Sequence, residues 1–144
     1  MTKLFTQYFI EQKKGRIINI SSLAAFFPGS AMANYYATKA YILSLFVAIN
    51  TELKKTKSPV RVVTICPRAT QTAFFKNADF KNNKTLPGLM SLERFIKKSL
   101  PKALKIKRKN YLIIGWKNRS LKLLFLIIPQ NSRLNYTYLI QTKD

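Results

Sequence analysis

The feature that most constrains the fold of this chain is an alternation of short, β-branched apolar runs with longer helical segments. Three runs have the composition of buried strands: Arg16–Ile20, Val60–Cys66 and Tyr111–Ile114. Helical patterns surround and separate them, over Thr2–Lys14, Asn34–Lys55, a segment capped by Ser91, and Arg119–Ile128. Because strands that alternate with helices pair in parallel through right-handed crossovers, the sequence predicts an α/β fold with three parallel strands and flanking helices.

The carboxyl ends of the strands are the expected place for a ligand, because parallel sheets bind ligands along that edge. Two loops leave those ends here, Ser21–Ser30 after the first run and Pro67–Gly88 after the second. Any functional site is therefore expected in these two loops and at the start of the helix that follows the first.

The charge balance is strongly basic, with 26 Lys+Arg against 5 Asp+Glu and a formal net charge of +21. Such an excess favours anionic partners. No helix-turn-helix, zinc or aromatic-platform pattern accompanies it, so we expect a solvated basic surface and no nucleic-acid partner. A basic amphipathic protein that lies on an anionic membrane through Arg119–Ile128 and the dense run Lys102–Lys109 is an alternative. A core or subunit contact is the preferred interpretation of that helix.

Histidine is absent from the sequence and Cys66 is the only cysteine. The Ser/His and Cys/His nucleophile systems and most zinc sites are thereby excluded, and we expect no metal site. No internal disulfide is possible, which favours a reducing compartment and a cytoplasmic location. The longest apolar run, Leu123–Ile128, is far shorter than the roughly 20 residues of a membrane-spanning helix.

The stretch ANYYATKA, Ala33–Ala40, places Tyr35 and Lys39 four residues apart, on one face of a helix. An ammonium beside a phenol lowers the phenol pKa, so Tyr35 is able to protonate a carbonyl oxygen or deprotonate an alcohol. Four residues beyond Tyr36 lies Ala40, so Tyr36 is expected to serve packing. One such pair is expected by chance in a lysine-rich chain. Ser22, thirteen residues before Tyr35, adds a hydroxyl in the first ligand-facing loop.

Together, GRIINISSLAA, ANYYATKA and VRVVTICPRATQT resemble the second half of the short-chain dehydrogenase/reductase family, over Gly15–Thr72. The signature of that half is a strand ending in N-x-S-S, a serine thirteen residues before Tyr-x-x-x-Lys, and a strand ending in P-G-x-x-x-T. The resemblance implies a partial Rossmann-like fold whose three strands correspond to family strands five to seven. It also implies an NAD- or NADP-dependent oxidoreductase that interconverts a hydroxyl and a carbonyl group by hydride transfer.

The resemblance also implies residue roles. Tyr35 would be the acid/base, Lys39 would lower its pKa and hold the nicotinamide ribose, and Ser22 would orient the substrate carbonyl. Pro67 and Thr72 would complete the cofactor contacts. The substrate loop would be Ala73–Met90, whose apolar residues are compatible with ordinary packing or with a lipid-like alcohol or ketone: Phe74, Phe75, Phe80, Leu86 and Leu89.

The organisation expected from the resemblance is a single incomplete Rossmann-like domain over residues 1–144. It divides into a catalytic region (1–72), the substrate loop (73–90) and the last strand with C-terminal helices (91–144). The family's glycine-rich turn, T-G-x-x-x-G-x-G, is absent, since the 4 glycines lie far apart, and Arg68 stands where the family has glycine. We therefore expect a truncated enzyme that binds NAD(P) weakly alone, or an inactive remnant of one.

Two consequences for assembly follow from that incomplete domain. The strand Arg16–Ile20 would form an open sheet edge, which invites strand addition or aggregation. The helix Asn34–Lys55 is apolar almost all round, so its second face is expected to contact another subunit of a homo-oligomer.

Overall fold

A computed structural model of the chain describes residues 2–71 and 90–142. In chain order the elements are α1 (Thr2–Glu11), β1 (Arg16–Ile20), a 3₁₀ turn (Leu23–Phe26), α2 (Ala33–Lys55), β2 (Arg61–Ile65), β3 (Thr70–Gln71), β4 (Met90–Ser91), α3 (Leu92–Lys105), β5 (Tyr111–Leu112), α4 (Trp116–Ile127) and α5 (Gln130–Thr142).

The main sheet has three parallel strands in the order β1-β2-β5, which confirms the predicted α/β class. In register, Arg16 lies opposite Arg61 and Ile20 opposite Ile65, while Thr64 lies opposite Tyr111. The central strand β2 has a strand neighbour at each edge, and helices cover both of its faces. A strand buried on both faces has a continuously apolar sequence. The run VVTI of β2 is buried for this reason.

Alternate side chains of β2 face the two helical layers, as the pleat of a strand requires. Val62 packs with Phe46 and Leu53 of α2 on one face. On the other face, Val63 and Ile65 pack with Phe95 and Ala103 of α3, together with residues of and just after β5. The result is a three-layer arrangement of α2, sheet and α3.

The first strand is less buried than its sequence predicts. Its residues are half-buried, and Ile20 is 49% exposed. Within the described residues β1 pairs with β2 alone, so its other edge is unpaired. The expectation of a buried strand is therefore wrong for β1.

The long helix α2 is fastened to the sheet by a buried polar residue, Asn50, near its C-terminal end. The Asn50 side chain accepts a hydrogen bond from the Val62 N–H (2.8 Å) and donates one to the Asn110 side chain (2.8 Å). Asn50 is almost wholly buried, so both groups would cost free energy if left unpaired. The amide thus ties α2 to β2 and to the residue that precedes β5.

Two helix ends have sequence signals that the structure bears on, the start of α3 and the end of α1. Ser91 caps α3 as predicted, its side chain accepting a hydrogen bond from the Arg94 N–H (3.3 Å). α1 ends at Glu11, earlier than predicted, and Lys13 adopts the left-handed conformation (φ 52°) just after it. Gly15 serves a close approach, since an added Cβ would lie 2.3 Å from the Phe9 ring. α5 was not predicted.

Candidate active site

The loop after β1 is held over the carboxyl end of β2 by main-chain hydrogen bonds. The Ser21 N–H donates to the Ile65 carbonyl (2.8 Å), and the Leu23 N–H donates to the Pro67 carbonyl (2.9 Å). Ser22 lies between these two contacts, and Pro67 is half-buried. Two residues proposed from sequence, Ser22 and Pro67, are therefore brought to the same edge of the sheet.

Ser22 is the N-cap of the short 3₁₀ turn that begins the loop. Its backbone is extended, and its Oγ accepts a hydrogen bond from the Ala24 N–H (3.1 Å). A serine hydroxyl that accepts one hydrogen bond still has its own proton to donate. Ser22 is buried, which limits competition from water for that proton.

Tyr35 and Lys39 lie in the first turns of α2, on one face of the helix. The Lys39 Nζ is 5.6 Å from the centroid of the Tyr35 ring, within the range of a cation–π contact. Both side chains are half-buried, so a ligand can still reach them. The pairing expected from their four-residue spacing is present.

The neighbouring phenol, Tyr36, has different surroundings. Its hydroxyl accepts a hydrogen bond from the Gln141 side chain (2.9 Å), and its ring lies 5.9 Å from that of Phe27. Burial raises the pKa of the Tyr36 phenol above its ordinary value, and the Gln141 hydrogen bond opposes part of that rise. Tyr36 is thus a packing residue that joins α2 to α5, as its sequence position predicts.

Ser21 connects the two parts of the site. Its Oγ donates a hydrogen bond to the main-chain carbonyl of Lys39 (2.7 Å), and its side chain is buried. This bond fixes the loop that carries Ser22 against the helix turn that carries Lys39. Sequence reasoning missed this role, although Ser21 is the first serine of the N-x-S-S pattern.

The single cysteine lies just after β2 but is not a nucleophile. Cys66 is 0% exposed, and burial raises the pKa of its thiol to about 12, with the nearby Lys122 charge opposing part of the rise. In the described ranges, no three side chains of His, Cys, Asp or Glu lie close enough to hold a metal ion. The polar side-chain groups that the site does bring together are the Ser22 hydroxyl, the Tyr35 phenol and the Lys39 ammonium.

The glycines of the described residues determine whether a dinucleotide pyrophosphate has a cradle here. A pyrophosphate cradle needs glycines that leave room for phosphate oxygens. An added Cβ at Gly29 would lie 2.2 Å from the Tyr36 ring, and Gly15 is filled in the same way by Phe9. In residues 2–71 and 90–142, the remaining glycine is Gly115, at the start of α4. The described residues therefore offer no glycine cradle for the pyrophosphate of a dinucleotide.

Some of the residues proposed from sequence lie outside the described structure. Thr72 and residues 73–89 of the substrate loop lie outside the described residues. Met90, the last residue of that loop, pairs with Thr70 in the parallel β3–β4 contact. Arg68, which replaces the family glycine, is exposed. No helix in the described part of the chain has the length and apolar character needed to cross a membrane.

Comparison with known proteins gives one family. The family model described as short chain dehydrogenase matches residues 1–83. The chain is 31% identical over 115 residues to 17-beta-hydroxysteroid dehydrogenase type 3 of Homo sapiens, covering 80% of this chain and 32% of that protein. It is 35% identical over 79 residues to an uncharacterized oxidoreductase of Staphylococcus epidermidis, covering 55% of this chain and 34% of the relative.

Solved structures give the same fold. A short chain dehydrogenase from Burkholderia cenocepacia in complex with NADP superposes with a TM-score of 0.71 at 20% identity, covering 99% of this chain and 55% of that one. A short-chain dehydrogenase from Sphingobium yanoikuyae in complex with NADPH gives 0.65 at 27% identity, covering 86% and 50%. The chain thus spans about a third of these curated relatives and about half of these solved structures.

Proposed function

Because the chain belongs to the short-chain dehydrogenase family, we propose that it carries the acid–base centre of an NAD- or NADP-dependent oxidoreductase that interconverts a hydroxyl and a carbonyl group. The observation that carries the proposal is the contact between the Lys39 ammonium and the Tyr35 ring, 5.6 Å to the centroid. The backbone carbonyl of that lysine is hydrogen-bonded to the loop that bears Ser22.

Each side chain has a distinct role in the proposed reaction. Tyr35 donates its phenolic proton to the carbonyl oxygen during reduction and removes the hydroxyl proton during oxidation. The Lys39 ammonium stabilises the negative charge that forms on the phenol oxygen when the proton leaves. Ser22 donates its hydroxyl proton in a hydrogen bond to the same substrate oxygen and so orients it. NAD(P), when bound, supplies or accepts the hydride at the substrate carbon.

Cofactor contacts in the proposed enzyme come from Tyr35 and Lys39 at the ribose and from Pro67 and Thr72 at the nicotinamide. No glycine cradle for the pyrophosphate is found among the described residues, so we expect weak NAD(P) binding by the chain alone. In this proposal the chain is a truncated form, and turnover requires a segment that supplies the dinucleotide-binding half. The same observation favours the second candidate, an inactive remnant that keeps Ser22, Tyr35 and Lys39 without turnover.

The proposed substrate class is supported by the Phe and Leu residues of the loop Ala73–Met90 and by the names of two relatives. Two relatives are named as dehydrogenases acting at the 17-beta position of a steroid: 17-beta-hydroxysteroid dehydrogenase type 3 and estradiol 17-beta-dehydrogenase 2. The loop Ala73–Met90 is rich in Phe and Leu. We propose a lipid-like alcohol or ketone, with a 17-ketosteroid as the first substrate to assay.

The proposed setting is a cytoplasmic homo-oligomer. Tyr41 of α2 is an exposed aromatic residue, and Ile42 and Leu45, which pack against the core cluster between α2 and β2, keep part of their surface exposed. The exposed Tyr41 and this remaining apolar surface support the expected subunit contact through residues 34–55. The buried thiol of Cys66 supports a protein that forms no disulfide in a reducing compartment.

The test uses a fusion in which the first half of the Staphylococcus relative precedes residue 1 of this chain. NADPH binding is measured by calorimetry for the chain and for the fusion, and 17-ketosteroid reduction is followed by nicotinamide absorbance. We expect weak binding by the chain, ordinary binding by the fusion, and turnover by the fusion that falls about tenfold or more in Lys39→Met.

Lys55→Met is the matched control, since Lys55 is an exposed lysine at the other end of the same helix. It should leave turnover of the fusion unchanged. A fusion that binds NADPH but reduces no substrate on a panel of ketones would favour the inactive remnant. Equal losses in Lys39→Met and Lys55→Met would contradict the role given to Lys39.

A further inference from the structure

The outward side of α4 is an apolar stripe with no covering element among the described residues. Trp116, Leu123 and Ile127 recur at helical spacing on this side, and Trp116 is 72% and Ile127 81% exposed. The opposite side of the helix faces the protein through Phe125, whose ring stacks on that of Phe27 at 4.4 Å. A soluble helix normally turns its apolar side inward, so an outward stripe marks an interaction surface.

Cations border this stripe on the same part of the surface. A cleft of about 480 Å³ between α4 and the segment leading into β5 is lined by Arg108, Lys109, Arg119 and Lys122, with Leu123 of the stripe in its wall. A second cleft of about 660 Å³ shares Arg108 and Lys109 and continues along the C-terminal end of α3. The sequence between Glu93 and Asp144 contains no acidic residue. Apolar stripe and cationic clefts thus form one continuous surface, which we call the α4 face.

We propose that the α4 face is a binding site for an anionic lipid surface, with α4 lying in the plane of the membrane interface. The stripe would enter the boundary between headgroups and acyl chains, while the cleft cations would contact lipid phosphates and carboxylates. Each cation near such a surface raises partitioning by a factor of about five. The inference is independent of the proposed oxidoreductase activity, since it uses none of Ser22, Tyr35 or Lys39.

Charge decides between the possible occupants of the α4 face. A second copy of this chain also has a net charge of +21 and no acidic residue between Glu93 and Asp144, so two such faces would repel each other. An anionic lipid surface complements both the cations and the stripe, because it offers negative headgroups directly above an apolar layer. An acidic protein complements the cations, and the comparison of anionic vesicles with soluble polyglutamate distinguishes it from a lipid surface.

The chain has an internal reporter for this test, because its single tryptophan, Trp116, lies at one end of the stripe. The full chain is titrated with vesicles of phosphatidylcholine alone or mixed with phosphatidylserine. With anionic vesicles we expect a blue shift of Trp116 emission, quenching by brominated acyl chains, and partitioning that weakens as salt is raised. Absence of acyl-chain quenching would overturn the proposal.

Two pairs of matched variants separate a defined site from general attraction of a basic chain. Leu123→Ser/Ile127→Ser and Arg108→Gln/Lys109→Gln should each weaken partitioning by about tenfold or more. Their controls change the same residue types elsewhere, at exposed positions: Leu4→Ser/Ile10→Ser on α1 and Lys14→Gln/Lys55→Gln. The controls should change partitioning by less than about twofold.

Circular dichroism of each variant establishes that the helices persist. Equal losses in the variants and in their controls would overturn the proposal, because an unfolded basic chain responds to net charge alone. Binding to soluble polyglutamate as strong as that to anionic vesicles, with no loss in Leu123→Ser/Ile127→Ser, would also overturn it and would favour an acidic protein partner.

Discussion

The hydroxyl of Ser21 donates a 2.7 Å hydrogen bond to the main-chain carbonyl of Lys39. Ser21 directly follows β1, and its own N–H is bonded to Ile65 at the end of β2. Lys39 lies one helical turn after Tyr35 in α2. A single buried serine therefore links the end of the sheet, the loop that holds Ser22 and the helix turn that holds the Tyr35–Lys39 pair.

Ser21→Ala should lower the free energy of unfolding by about 1–2 kcal/mol, because it removes a buried hydrogen bond between two elements. Urea denaturation measures the change. Ser44→Ala, at an exposed position of α2, is the control and should stay within about 0.5 kcal/mol of the parent chain. A Ser21→Ala chain as stable as Ser44→Ala would show that the loop is held by other contacts.

Gly29→Ala should destabilise the chain by about 1–3 kcal/mol, because the new Cβ would lie 2.2 Å from the Tyr36 ring. The clash depends on that ring, so Gly29→Ala should cost less than about 0.5 kcal/mol when Tyr36 is already alanine. Thermal or urea unfolding of the two single variants and the double variant gives the coupling. If the effects of the two single substitutions add in the double variant, the destabilisation by Gly29→Ala does not come from a clash with the Tyr36 ring.

Cys66 should be inert to thiol reagents in the folded chain, because burial raises its thiol pKa to about 12. The unfolded thiol ionises near its ordinary pKa of 9.0, so the folded state alone keeps the proton between there and about 12. The contribution of the protonated Cys66 thiol to the free energy of unfolding is fully present below pH 9 and is lost as the pH rises from 9 towards 12. Between pH 9 and 10.5 the free energy of unfolding should therefore fall less in Cys66→Ala than in the parent chain. The difference between the two decreases should be about 1–2 kcal/mol, measured by urea titrations.

Parallel losses in Cys66→Ala and the parent would assign the alkaline destabilisation to other groups. Rapid modification of Cys66 under native conditions would contradict its burial directly. Modification that appears only with denaturant would agree with the structure and would report the opening of the region after β2.

The elements whose bounds were predicted best from the sequence are β1 and α2. The bounds of β1 are as predicted, and those of α2 differ by one residue, because a β-branched run after glycine and a long segment without glycine or proline each allow one interpretation. α5 was missed because its apolar residues follow no strong helical period, although Pro129 precedes it as proline often precedes a helix. The burial of β1 was overestimated because burial depends on neighbours that a run of five residues does not encode.

The candidate site was predictable as far as local spacing determines it. The four-residue interval selected Tyr35 over Tyr36, and the structure pairs Tyr35 with Lys39 while Tyr36 packs against Phe27. The Ser21–Lys39 bond was not predictable, because it joins residues far apart in sequence through a main-chain acceptor that any residue offers. Asn50 is a similar case, since an asparagine inside a helix gives no sign of its partners on β2.

The acid–base role of Tyr35 is the central claim, and it is tested by the reduction of a 17-ketosteroid by the fusion in Tyr35→Phe and Tyr36→Phe. Each change removes one phenolic oxygen, and the two tyrosines are adjacent residues of α2. Turnover should fall by about 10²-fold or more in Tyr35→Phe and stay near that of the parent fusion in Tyr36→Phe. Retained turnover in Tyr35→Phe, or a loss confined to Tyr36→Phe, would contradict the account.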